Sequence, residues 1–272
     1  TRALSSAASD VYKRQGIQNA FDPDIKEWHN EYAALKSALT DEEYKAAKAS
    51  VLNAHYTSPT VIAGIYQAID RFGFTGGHVL EPSCGVGSFF GMLPDSLQKS
   101  DLSGVELDSI SGRITKALYP NARITIAGFE TYPVSGEFDL TIGNVPFDSS
   151  KVYADRDYSS YGFSLHNYFF AKGIDELRPG GVLAYVTSHY TLDARGEEAR
   201  RYLADRANLL GAIRLPNNAF TETANTRVVS DILIFQKKDA IEVPETYPSW
   251  VSTGTTEDGH TINQYFIDHP DM

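Results

Sequence analysis

The sequence predicts an α/β fold, a mostly parallel sheet covered by helices on both faces, and three observations predict it. Short aliphatic runs alternate with segments of helical apolar period, the pattern of strands joined by crossover helices. A glycine-containing turn, Glu81-Pro82-Ser83-Cys84-Gly85-Val86-Gly87-Ser88-Phe89, follows the first run directly. An acidic residue, Glu106, ends the second run, at the roughly 20-residue spacing that suits a ribose-binding carboxylate. In such sheets ligands lie beyond the carboxyl ends of the strands, so the residues just after each strand are the ones to read for function.

The elements follow in order. Thr40 with Glu43 forms a capping-box pattern opening a helix through about Leu52. Ser58 as N-cap and Pro59 at the first helical position open another, with Val61, Ile62, Ile65, Ile69 and Phe72 on one face and Gly73, Gly76 and Gly77 ending it. Strands are expected at 78–81, 102–106, 123–127 and 138–143, the last ending at Asn144, with a helix over 109–118 and the apolar Phe89, Phe90, Met92 and Leu93 after the glycine turn. A helix over 165–177 meets the turn Pro179-Gly180-Gly181, then a strand over 182–187. A helix over 195–208, a strand over 209–215, a polar loop and a last apolar run over 228–235 complete the pattern. There is no internal repeat and no low-complexity linker.

The chain has 272 residues, 42% hydrophobic and 22% charged, enough for one large domain with flanking helices. The expected organisation is a tail over 1–15, an N-terminal helical region over 16–56, a catalytic domain over 57–238 and a polar extension over 239–272. That polar ending suggests a fragment of a longer chain. No apolar run approaches the roughly 18 residues that cross a bilayer as a helix. The single cysteine, Cys84, rules out an internal disulfide framework and a cysteine-built zinc site, and suits a reducing compartment. The net charge of −11 counts against a self-sufficient nucleic-acid binder, because phosphate contacts need clustered Lys and Arg.

Three stretches carry chemistry. In the Glu81–Phe89 turn, glycines let the backbone approach a ligand and the following helix offers free N–H groups; it lacks the further glycine of the dinucleotide fingerprint and the Gly-Lys-Ser/Thr of a P-loop. In Gly104-Val105-Glu106-Leu107-Asp108, Glu106 suits a ribose hydroxyl, while Asp108 reads as a helix N-cap. In Ile142-Gly143-Asn144-Val145-Pro146-Phe147, an amide, a backbone carbonyl held by proline and an aromatic ring stand within four residues. They could accept both hydrogens of an exocyclic amine and stack on its ring, or form a simple turn.

Other features have plainer readings. Cys84, in the glycine turn, reads as a small buried residue. His55, His166 and His189 show no metal-ligand spacing, and no metal is expected. The aromatic segment Tyr153, Tyr158, Tyr161, Phe163, Tyr168 and Phe169 reads as core or as part of a base-binding wall. Arg195, Arg200, Arg201 and Arg206, placed on one expected helix, read as a solvated face or a phosphate contact.

Taken together, Glu81–Phe89 and Asn144-Val145-Pro146-Phe147 resemble the amino-group DNA methyltransferases of the adenine-N6 branch, whose catalytic motif is Asn/Asp-Pro-Pro-Tyr/Phe. His55-Tyr56-Thr57-Ser58-Pro59 looks like that family's cofactor motif, and the order of motifs is that of type I and related adenine methylases. The likeness runs from about residue 50 to 237. It is closest to the N-6 DNA methylase domain of large conjugative-element and phage proteins in which a helicase-like region follows. Gly211-Ala212-Ile213-Arg214-Leu215-Pro216 with Asn217, Asn218 and Phe220, and Ser230-Asp231-Ile232, fit that group.

The resemblance implies a Rossmann-like class I methyltransferase with a mostly parallel seven-stranded sheet, S-adenosyl-L-methionine as cofactor and adenine in DNA as target. It also implies a cytoplasmic setting in a bacterium, phage or plasmid, and further domains such as the helicase-like region. Tyr56, Thr57 and Pro59 would line the methionine end of the cofactor. Glu81, Pro82, Gly85 and Gly87 would shape the loop around its amino-acid part. Glu106 would bind the ribose, Leu107 beside it would be a further cofactor contact, and Phe129 with Glu130 would hold the adenine. Asn144 and the Val145 carbonyl would bind the target amine, with Pro146 fixing the loop and Phe147 stacking on the base. Val145 departs from the family, which has proline there. Alternatives are another amine or amide acceptor (an RNA base or a protein glutamine), a cofactor-binding module with little turnover, and, on fold alone, a dehydrogenase.

Overall fold

The computed structural model describes residues 17–53, 57–217, 219 and 229–272. Of the positions singled out above, His55, Tyr56, Asn218, Phe220, Val228 and the tail at 1–15 lie outside the described residues.

A seven-stranded sheet in the order β3-β2-β1-β4-β5-β7-β6 organises the chain. Its members are β1 (His78–Glu81), β2 (Asp101–Glu106), β3 (Arg123–Ile126), β4 (Phe138–Asn144), β5 (Leu177–Ser188), β6 (Ala207–Leu215) and β7 (Ser230–Lys237). β1 to β5 run parallel, and β7 runs antiparallel to both of its neighbours, β5 and β6. The central strands are buried on both faces, as their unbroken aliphatic runs require.

Helices α1 (His29–Ala38) and α2 (Asp41–Asn53) precede the sheet. The capping box forms as expected: Glu43 N–H donates to Thr40 Oγ1 (3.2 Å) and Thr40 N–H to Glu43 Oε2 (2.9 Å). α3 (Pro59–Arg71) begins where Ser58 Oγ accepts from Val61 N–H, and it buries Ile62, Ile65, Tyr66 and Ile69. Each buried isoleucine contributes roughly 1.5–3 kcal/mol of transfer free energy. Phe72, expected on that face, is instead 48% exposed, because the helix has ended one residue before it. The turn after β1 leads into the one-turn α4 (Ser88–Gly91); α5 (Ser109–Leu118) follows β2.

α6 (Leu165–Asp175) is more deeply buried than any surface helix, with His166, Tyr168, Phe169, Phe170 and Lys172 all inside. It ends before Leu177, which already pairs with Phe138 in β5. Pro179-Gly180-Gly181 is therefore not a turn between elements. The ladder passes from Phe138↔Leu177 to Leu140↔Val182, so the extra residues bulge out within β5, with Gly180 at φ 76°.

α7 (Tyr190–Asp193) and α8 (Glu198–Arg206) lead to β6. The expected helix over 195–208 is shorter, and its arginines do not share a solvated face. Arg200 is 1% exposed, its Nε donating to the Val251 carbonyl (2.6 Å). Arg201 pairs with Glu197, Arg206 stacks on Tyr202, and Arg195 precedes the helix. The segment expected as a polar extension folds onto this core: Trp250, Val251 and Phe266 join its largest cluster, beside the hairpin β8 (Thr253–Thr255) and β9 (Thr261–Asn263) and the short α9 (Gln264–Asp268). Arg214 fastens this end, bonding Asp231 (2.9 and 3.0 Å) and Asp193 (2.9 Å).

Candidate active site

The carboxyl ends of β1, β2 and β4 bring the glycine turn, Glu106 and Asn144 to one edge of the sheet. Two positive-φ glycines shape the turn, Gly85 at 53° and Gly87 at 80°. Gly87 is required twice over, since a Cβ there would also collide with the Tyr119 ring. Thr115, fully buried on α5, donates its hydroxyl to the Gly85 carbonyl (2.6 Å). No feature of the local sequence marks Thr115 for this role; it is legible only from the packing of α5 under the turn.

Glu106 closes the turn from β2. One carboxylate oxygen accepts from Gly85 N–H (2.7 Å) and the other from Asp108 N–H (2.8 Å), which leaves acceptor capacity for a hydroxyl. Asp108 caps α5 through Ser111 N–H (2.8 Å), as its position suggests. Leu107, 76% exposed, extends an apolar surface past Glu106. Ala127 N–H bonds the Glu106 carbonyl, so Gly128, Phe129 and Glu130 stand on the neighbouring strand end. Phe129 is buried among Tyr132, Tyr168 and Phe169. The half-buried Glu130 is the polar group there, its carboxylate folded into the space that a side chain on Gly128 would need.

Glu81 is 2% exposed, and its Oε2 has no hydrogen-bond partner among the described residues. Burial, and then the neighbouring Glu106 charge, push its carboxyl well above the ordinary value of 4.5. A buried carboxylate with an orphaned oxygen fits a ligand carrying positive charge, such as an α-ammonium or a sulfonium. Gly143 on β4, at φ 154°, lies against it: a Cβ there would press on Glu81 Cγ at 3.3 Å. Gly143 thus links the turn to the Asn144–Phe147 stretch, a role its place in a strand does not announce.

Asn144 ends β4, half-buried, and its Oδ1 is a second buried acceptor without a partner among the described residues. Val145 stands where the resemblance leads one to expect proline. Its N–H donates to the Val186 carbonyl (3.1 Å) and its side chain is 1% exposed, so a hydrogen bond and packing fix the backbone that a proline ring would otherwise restrain. Pro146 and Phe147 are half-buried, Phe147 against the aliphatic cluster under α3. Of the stretch expected to line the cofactor, Thr57 is buried and Pro59 is exposed at the start of α3.

Cys84 is buried against Gly104, and burial raises its thiol pKa, so it is no nucleophile. His166 bonds Ser164 and the Asp148 carbonyl, and His189 bonds the Val229 carbonyl. Among the described residues no three His, Cys, Asp or Glu gather as a metal would need, and no helix is long and apolar enough to cross a membrane. Tyr158, Phe163, Tyr168 and Phe169 of the aromatic segment are core, whereas Tyr153 (65%) and Tyr161 (48%) are exposed.

This strand order, with a glycine turn after β1 and a carboxylate ending β2, defines a class I S-adenosylmethionine-dependent methyltransferase. The chain belongs to the Eco57I restriction-modification methylase family, whose pattern matches residues 19–220. It is 29% identical over 227 residues to the Defense against restriction protein B of Escherichia phage P1, covering 79% of this chain and 10% of that protein. It is 27% identical over 192 residues to Modification methylase CviBIII of Paramecium bursaria Chlorella virus NC1A, covering 68% of this chain and 50% of that one. The chain thus spans half or less of these relatives. Among solved structures it superposes on the modification subunit of a putative type I restriction enzyme from Vibrio vulnificus YJ016, with a TM-score of 0.60 at 18% identity, covering 90% of this chain and 57% of that one. That likeness shows the fold.

Proposed function

We propose that this chain methylates the N6 amino group of adenine in DNA. The observation that carries the reading is the orphaned Asn144 Oδ1 at the end of β4, one strand from the orphaned Glu81 carboxylate. The adenine amino lone pair is delocalised into the ring and is a poor nucleophile. Asn144 Oδ1 and the Val145 carbonyl would accept its two hydrogens, favouring a tetrahedral nitrogen whose lone pair points at the donor. Catalysis is then orientation and charge placement by fixed acceptors, with no covalent enzyme intermediate.

S-adenosylmethionine supplies, when bound, an electrophilic methyl group on a sulfonium. Glu81 would answer its positive charge, Gly85 and Gly87 would admit its backbone, and Glu106 would accept from its ribose hydroxyls. Leu107 and Glu130 would meet its adenine, with Phe129 supporting them from the core; Tyr56, Thr57 and Pro59 would line the methionine end, and Pro82 would help shape the loop with the two glycines. The target base must leave the stack to reach Asn144, and Phe147 would replace part of the lost stacking.

The relatives from phage P1 and a chlorella virus support modification linked to a mobile or viral genome, in a cytoplasmic setting, with further domains of a longer protein supplying sequence recognition. Offering methyl-labelled cofactor with DNA, RNA and protein acceptors tests the reading. Label entering DNA is the expected result; label entering only protein or only RNA would end it.

A further inference from the structure

Beyond the residues that the amine and the cofactor require, the same edge of the sheet carries a largely exposed aromatic ring. Tyr190 is 58% exposed, although the next two residues of its turn, Thr191 and Leu192, are buried. Asn144 pairs in register with Val186, so the strand that ends at Ser188 places His189 and Tyr190 just past the end of β4, on the neighbouring strand.

The backbone under this ring is held firmly. Thr187 and Thr191 share a hydroxyl hydrogen bond (2.8 Å), Asn263 Nδ2 donates to the Leu192 carbonyl (2.9 Å), and Tyr190 N–H reaches Ser188 Oγ (3.3 Å). The ring itself lies on His189, with centroids 4.0 Å apart and planes 35° apart. His189 is in turn fixed by Nδ1–H to the Val229 carbonyl (3.0 Å), a bond in which the carbonyl can only accept. The ring is supported on one side by His189 and is largely exposed. A platform ordered before binding spares the ordering cost of the side chain, which is what a stacking site needs.

The exposed charge near this edge is mixed: Asp148, Asp157 and Glu198 stand on the same segments as three cations. The topology sets three exposed cations on segments leaving this same edge: Lys151 and Arg156 after the catalytic stretch, and Arg195 after α7. None of the three forms an ion pair among the described residues. In a chain of net charge −11, they are where a phosphate backbone would be tolerated.

We infer that Tyr190, backed by His189, is a stacking platform for a nucleobase of the DNA strand flanking the target adenine. The inference rests on the DNA reading above. Base–aromatic stacking on such platforms corresponds to about tenfold or more in affinity per base.

The test is fluorescence anisotropy of a labelled mixed-sequence single-stranded DNA 20-mer carrying 5-iodouracil, with the chain saturated in S-adenosylhomocysteine. Tyr190→Ala should weaken binding about tenfold, Tyr190→Phe should retain it, and calorimetric affinity for S-adenosylhomocysteine should be the same in all three. Irradiation of the parent complex should yield a cross-linked peptide containing Tyr190. Binding by Tyr190→Ala within twofold of the parent overturns this assignment and leaves the DNA reading standing. Failure of the parent to bind DNA, or binding of the matched RNA alone, overturns both.

Discussion

Replacing Glu81 with Gln separates what the pocket costs the fold from what it gives the reaction. Glu81 is buried with an orphaned oxygen, and its carboxyl titrates well above 4.5 in the folded chain. From about pH 4.5 up to that raised pKa, the folded chain holds a proton at Glu81 that the unfolded chain has lost. Stability from this group is therefore full below the ordinary pKa and falls as pH rises, by ~1.4 kcal/mol per pH unit, until the folded group ionises. Glu176, raised to about 7 mainly by burial, adds a slope of the same sign between 4.5 and 7, and it does so in parent and variant alike. Urea unfolding across pH 5–8 should thus show a parent slope steeper than that of Glu81→Gln by up to about 1.4 kcal/mol per unit, with the variant the more stable at the upper end. The same variant should bind S-adenosylhomocysteine more weakly at pH 8, because a neutral amide does not answer the ligand's ammonium. In the parent, binding should release a proton, read as a buffer-dependent heat. Parallel pH slopes together with unchanged ligand affinity would refute the reasoning.

Other substitutions probe the surrounding architecture. Gly87→Ala forces a side chain onto a φ of 80° and into Tyr119, so it should cost about 1–3 kcal/mol in thermal unfolding and abolish measurable cofactor binding. Val145→Pro removes the N–H that bonds Val186; unfolding should register about 1 kcal/mol, while methyl transfer persists because the carbonyl remains. Lys172→Met strands the buried Asp155 carboxylate, now 2.8 Å from Lys172 Nζ and from the Tyr168 hydroxyl, and should cost about 3–5 kcal/mol. Adding Asp155→Leu should recover most of that loss, whereas additive losses would show the pair to be uncoupled.

Much of the fold is legible because its signals are local. The strands β1 to β4 are short aliphatic runs bounded by glycine, proline or aspartate, and Ser58 and Thr40 cap their helices through contacts within three residues. Where long-range packing decides, the sequence misleads. Pro179-Gly180-Gly181 has the chemistry of a turn, yet the ladder to β4 on either side makes it a bulge. Arg200 looks like part of a solvated stripe, yet it is buried with its Nε bonding a carbonyl 51 residues away. At the site, Glu106, the glycines and Asn144 are legible because their residue types stand just after strands. The support beneath them is not: Thr115, Gly143 and Val186 act through partners that only the folded sheet brings together.

The central claim is that Asn144 activates an adenine amine. Unmethylated DNA incubated with the chain and methyl-labelled S-adenosylmethionine, then digested to nucleosides and resolved by mass, tests it directly. The account predicts label in N6-methyldeoxyadenosine, at a low level for this chain alone, and none above background with Asn144→Ala, which should still bind S-adenosylhomocysteine like the parent. Label in another nucleoside, or N6-methyldeoxyadenosine undiminished in Asn144→Ala, would contradict it.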